Sequence, residues 1–171
     1  YHPTHGGIEL KSPSGGTGTN CSAIVPHLDA GTSPFTEIKF GTEHEVNWEC
    51  CLMTGNSIVN GGFFAGIKST IPGVNNGVAL NNNNHQCKFM YASSNIGLTQ
   101  NLENNKNMHF CYSTGASQHF ISDTGIEVKP NKIYHLKIRI NKERKITATI
   151  SIVNENEDED NDQHKSIICN I

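Results

Sequence analysis

No stretch of this 171-residue chain approaches the roughly 18–20 consecutive apolar residues that a membrane-spanning helix needs, so the sequence offers no membrane span. Charge is scarce: Asp, Glu, Lys and Arg make up 17% of the chain and leave a net charge of −3. That balance gives no electrostatic basis for binding nucleic acid or an anionic membrane surface. Hydrophobic residues, at 35%, are few for a globular chain. Nowhere do they recur at the 3.6-residue period of an amphipathic helix. There is a single Trp. There is no Gly-x-Ser-x-Gly elbow, which removes the local signature of a serine hydrolase. No local signature of a cysteine nucleophile is present either.

What fills the space is Asn, at 21 residues, and Gly, at 16. Both favour turns and disfavour helix interiors, which predicts many short strands joined by long loops. The length suits one domain with a real core. A start at Tyr1 with no charged and apolar leader ahead of it predicts a processed product or a fragment. The six cysteines are even in number but lack the density of a disulfide scaffold. Cys50 and Cys51 are adjacent, so on a strand they point to opposite faces and cannot easily share one partner. Buried or idle thiols and one or two disulfides both stay open.

The strongest pattern runs from Lys132 to Ile152. Tyr134, Leu136, Ile138 and Ile140 alternate with His135, Lys137 and Arg139, and Asn141-Lys142-Glu143-Arg144 breaks the pattern. Ile146, Ala148, Ile150 and Ile152 then alternate with Lys145, Thr147, Thr149 and Ser151. Period two on both sides of a short polar break predicts an antiparallel hairpin with one buried and one wet face. Its open edge should be covered by Ser166–Ile171, by the N-terminal arm or by another subunit.

Residues 1–34, rich in Gly and Pro and without periodicity, read as an extended arm or linker. His2 and His5 lack any metal-ligand partner at a recognisable spacing. Asn20-Cys21-Ser22 is the one glycosylation sequon. Strands are predicted at Phe35–Phe40, at Val46–Met53 with Trp48 facing the core, at Phe63–Lys68, at Cys87–Tyr91, at Met108–Tyr112 and at His119–Ile121. Gly66 should mark a bulge or a close backbone approach. Asp123-Thr124-Gly125 reads as a turn, and Ser166–Ile171 as a last short strand. Strands at intervals of roughly ten residues with turn signals between them predict a sandwich, in a domain spanning 35–171.

Few constellations carry chemistry. Asp158, Asp160 and Asp162 have the spacing of a calcium loop, but Gln163 replaces the required Gly and Cys169 the closing Glu, which excludes an EF-hand. A looser calcium site there stands beside the reading of a solvated loop. His109, His119 and His135 read as outward-facing strand residues. Glu43, Glu45 and Glu49 flank or lie within the Trp48 strand and would share its solvent face with Asn47, the placement a concave acidic site for glycoside hydrolysis would need. Asn-rich loops at 72–86 and 95–107, with Asn82, Asn83, Asn84, Asn104 and Asn105, present amide donors and acceptors suited to hydroxyl-rich ligands.

From about residue 35 to 153 the chain resembles the concanavalin A-like jelly-roll structural domains of viral, mostly tailed-phage, particles. The resemblance rests on Trp48-Glu49-Cys50 with Met53-Thr54-Gly55, on Phe63–Lys68, on Phe89-Met90-Tyr91 and on Phe110-Cys111-Tyr112-Ser113. Its longest part joins Asp123-Thr124-Gly125-Ile126 to Tyr134–Ile140. It implies an all-β jelly-roll sandwich of two antiparallel sheets with an extended N-terminal arm. It also implies a non-catalytic structural or adhesive module of a virus particle or surface fibre, located on the virion or an extracellular surface. The partners implied are copies of the chain, other particle proteins and glycans, with no cofactor. The chain departs from the family after the hairpin, where the usual further strands are replaced by an acidic run and a short tail. The expectation is therefore that the sandwich is truncated or is completed by a neighbouring subunit. A lectin-like domain and a sandwich-class glycoside hydrolase are the alternatives. The glucanase pattern Glu-x-Asp-x-x-Glu is absent.

Overall fold

A computed structural model of the protein describes residues 8, 10, 44–59, 61–68, 85–93, 106–114, 119–153 and 164–170. These form eight strands: β1 (Val46–Met53), β2 (Gly62–Lys68), β3 (His85–Ala92), β4 (Asn107–Thr114), β5 (His119–Glu127), β6 (Ile133–Ile140), β7 (Lys145–Val153) and β8 (His164–Asn170). They assemble into two antiparallel four-stranded sheets, ordered β1-β6-β7-β8 and β2-β3-β4-β5. The sheets face each other as a β-sandwich, with one hydrophobic core drawn from both inner faces. The arm at 1–34, the strand expected at Phe35–Phe40 and both Asn-rich loops lie outside the described residues, Ile8 and Leu10 excepted. Among the described residues no helix is long and apolar enough to cross a membrane.

The hairpin read from period two is β6–β7. Tyr134, Leu136, Ile138, Ile140, Ile146, Ala148 and Ile150 are all at most 1% exposed. In the turn, Asn141 Oδ1 accepts hydrogen bonds from the amides of Glu143 (3.1 Å) and Lys145 (2.8 Å). Arg144 closes it at φ 63°, the left-handed residue of a three-residue hairpin loop. Both edges of the hairpin are occupied: β1 pairs with β6 from Val46↔Ile140 to Met53↔Ile133, and β8 pairs with β7 from Lys145↔Asn170 to Ser151↔His164. The final apolar segment thus covers the edge that the sequence left open.

Two sequence expectations are corrected. Asp123-Thr124-Gly125 lies inside β5 rather than in a chain reversal. Its turn chemistry is real but serves a bulge: Asn107 pairs with Glu127 while His109 pairs with Asp123, so β5 carries extra residues against β4. The Gly125 amide donates to Asp123 Oδ1 (2.7 Å), the Thr124 hydroxyl donates to the Met108 carbonyl (2.6 Å), and Gly125 sits at φ 73°. These local bonds replace ladder bonds that the bulge interrupts. Second, His109 does not face outward into solvent. It is fully buried, because the far face of β3–β4 is itself covered: Gln86, Lys88, Met90, His109, Cys111 and Ser113 are all at most 4% exposed.

Gly66 marks a close approach. At φ +155° it lies where a Cβ would run into the Cys87 carbonyl oxygen and come within 2.6 Å of Lys88 Cα. Trp48 packs on the core from the edge strand and is only partly buried. Cys50 and Cys51 split across the faces of β1 as expected, one half-buried and one exposed.

The crossover from one sheet to the other at residues 128–132 is pinned from two sides. The Tyr134 hydroxyl accepts from the Lys129 amide (2.7 Å) and donates to the Glu127 carbonyl (3.2 Å). Thr54, just past β1, donates its hydroxyl to the Lys129 carbonyl (2.6 Å) and accepts from the Lys132 amide (3.1 Å). Asn131, at φ 53°, gives its amide to the Gly55 carbonyl (3.0 Å). Thr54, Gly55 and Tyr134 are therefore corner-builders.

Candidate functional site

Polar side chains line the outer face of the β1-β6-β7-β8 sheet. Alternation along each strand sends every second residue there, and register lines these residues into rows. One row joins Cys51, His135 and Ser151; the next joins Glu49, Lys137, Thr149 and Ser166; the third joins Asn47, Arg139, Thr147 and Ile168. A fourth row, Met53, Ile133 and Val153, gives the face an apolar end.

The carboxylates come from the β1 side and the cations from β6. Arg139 Nη2 donates to Glu45 Oε2 at 2.7 Å, and Asn47 Nδ2 donates to Glu45 Oε1 at 2.9 Å. The Arg139 guanidinium, with Asn47 second, holds the Glu45 carboxyl below its ordinary range, and Arg139 is raised in turn. His135 Nε2 donates to Glu49 Oε1 at 2.5 Å, while Lys137 Nζ lies 3.7 Å from Glu49 Oε2. The hydrogen bond from His135, and next the Lys137 charge, lower the Glu49 carboxyl.

This arrangement bears on the carboxylate pair weighed for glycoside hydrolysis. Asn47, Glu49 and Glu45 share the solvent side as the alternation predicted, and Glu43 lies outside the described residues. A general acid needs a raised pKa, and these two are lowered. The face can instead offer hydrogen bonds: ionised carboxylates and half-exposed cations on one side, the Thr147, Thr149 and Ser151 hydroxyls on the other.

A second cluster sits on the far face of the other sheet. Lys88 and Cys111 are cross-strand partners and both are 0% exposed. Lys88 Nζ stands 5.1 Å over the Phe64 ring, a cation–π contact. Burial pushes the Cys111 thiol up to about 12 against the opposing pull of Lys88, so it stays protonated. His109 Nδ1 is 3.0 Å from the Asn107 carbonyl, and Asn107 in turn donates to Asp123 Oδ1 (2.9 Å). The sequence reading missed this buried layer. Its signal was present: Cys87–Tyr91 and Met108–Tyr112 run nearly continuously apolar instead of alternating, the mark of strands covered on both faces.

The structure brings none of the other candidates into view. Asn82, Asn83, Asn84, Asn104 and Asn105 lie outside the described residues, as do Asp158, Asp160 and Asp162. The side chain of His119 does too, whereas His135 faces outward as read. Among the described residues no three His, Cys, Asp or Glu side chains gather to hold a metal ion. Comparison with protein-family models, with curated proteins and with solved structures gives no match to this chain in any of the three.

Proposed function

We propose that the chain is a non-catalytic structural or adhesive module of a virus particle or surface fibre, built on a concanavalin A-like jelly roll and exposed on the virion or another extracellular surface. The reading rests on the sequence resemblance, and the two-sheet sandwich is consistent with it. The observation that carries the non-catalytic part is the fate of Glu45 and Glu49. Both carboxylates are engaged by β6 side chains, Glu45 by Arg139 and Glu49 by His135 and Lys137, rather than aimed at each other across a cleft. A sheet whose charges are tied to one another in rows works as a stiff platform, and its hydroxyls and amides suit contact with glycans. Partners on this reading are copies of the chain, other particle proteins and glycans. No cofactor is invoked.

The test is location. Antibody labelling of intact particles or fibres from the source organism should decorate a regular lattice or fibre. Recovery of the chain only from a particle-free fraction would sink the proposal. A glycan array read alongside separates adhesion from pure scaffolding, since scaffolding alone predicts no saturable signal.

A further inference from the structure

We infer that β1 is an exchange strand: in the assembled protein, β1 of one copy pairs with β6 of a second copy. This deepens the reading of the chain as an assembly component and names its partner as another copy of itself.

Three observations lead there. The first is topological. Among the described residues every ladder joins strands consecutive in the chain except β1–β6. That ladder alone can be made between two copies without opening a hairpin. The second is burial. The inward residues of β1, namely Val46, Trp48, Cys50 and Leu52, are each only partly buried, whereas Tyr134, Leu136, Ile138 and Ile140 opposite them are at most 1% exposed. The strand thus leaves at less cost than β6 would, and its departure uncovers a β6 edge that must be paired again.

The third is complementarity. Glu45 and Glu49 come from the β1 side, and Arg139, His135 and Lys137 come from β6. The β6 edge therefore recognises the charge pattern of β1, whichever copy supplies it. The connector to β2 is short, and its residues Asn56, Ser57 and Val59 are exposed. Extending it instead of folding it back exchanges the strand with the same contacts, the usual geometry of domain swapping.

Cys51 and His135 are direct cross-strand partners, which provides the test. The full chain carrying H135C, purified without denaturant and mildly oxidised, should form a disulfide from Cys51 to the new thiol. Exchange predicts that this bond joins two chains. Non-reducing gels would then show a dimer, and peptide mapping of mixed light- and heavy-isotope protein would show light–heavy 51–135 links, with the unsubstituted chain as control. A 51–135 bond confined to single chains of monomer mass overturns the inference. Where H135C does not fold, two charge-exchanged chains decide: E45K/E49K mixed with K137E/R139E should form a heterodimer by native mass spectrometry, and persistence as two separate monomers overturns it. Monomers that nonetheless label particles would refute the exchange and keep the particle reading; exchanged dimers absent from particles would do the reverse.

Discussion

The Tyr134 hydroxyl, on a side chain with no solvent contact, accepts a hydrogen bond from the Lys129 amide at 2.7 Å. It donates to the Glu127 carbonyl as well, so a single phenol satisfies both a donor and an acceptor of the backbone that crosses between sheets. Burial raises its pKa, which keeps it a phenol. Tyr134→Phe keeps the ring and strands both backbone groups. The expected loss is about 1–3 kcal/mol of stability, read as a lower urea midpoint with an unchanged slope. A midpoint equal to the parent would show that the corner holds without it.

Gly66→Ala is expected to be among the most damaging single-methyl changes in the chain. The added Cβ meets the Cys87 carbonyl and Lys88 Cα at a backbone angle that favours Gly. Neither obstacle is a flexible side-chain tip, so β2 must move away from β3. A loss above about 2 kcal/mol, or insoluble expression, is the expected outcome. Gly125→Ala, with open space around its Cβ but φ 73°, should cost less. Thermal unfolding of the pair checks the order.

The Glu49 carboxyl is lowered by the His135 hydrogen bond and the Lys137 charge. A carboxylate with a depressed folded-state pKa adds stability that is complete above its unfolded value, about 4.3. That stability is lost as the pH falls through the lower folded value. Amide exchange protection along β1 should therefore decline below about pH 4.3 more steeply in the parent than in Glu49→Gln. Identical acid profiles would mean that the ion pairs do not hold the strand. High salt should mimic part of the loss at neutral pH.

Thiol chemistry should divide by position. Cys51 is exposed and should be alkylated in the native protein. Burial, with Cys51 beside it, pushes the Cys50 thiol up to about 11, and burial pushes Cys111 up to about 12. Both should resist iodoacetamide at neutral pH until the chain is unfolded, because the thiolate is the nucleophile. Peptide mapping after a timed pulse measures the order, and fast native labelling of Cys111 would contradict its burial.

What could be read from sequence follows from how local each signal is. The β6–β7 hairpin was legible because one face is wet, so alternation survives in the residues themselves. β3 and β4 were legible as strands but not as to facing, since Lys88, His109 and Cys111 are buried beside Phe89 and Phe110 and the period vanishes. Asp123-Thr124-Gly125 carried true turn chemistry, and only the register with β4 shows it to be a bulge. The solvent face of Glu45, Asn47 and Glu49 was readable from β1 alone. Its cations were not, because which residue of β6 stands opposite Glu49 is fixed by long-range register and not by any neighbour in the chain.

The β1–β6 ladder also sets a timetable. Glu49 and His135 are 86 residues apart. At ribosomal rates of about 5–20 residues per second, β1 emerges roughly 4–17 s before its own β6 exists. The hairpins β2–β5 and β6–β8 need no such wait, because each strand finds its partner next in line. For those seconds the nascent chain carries an unmatched strand, and on a shared message the nearest finished β6 belongs to the copy made just ahead.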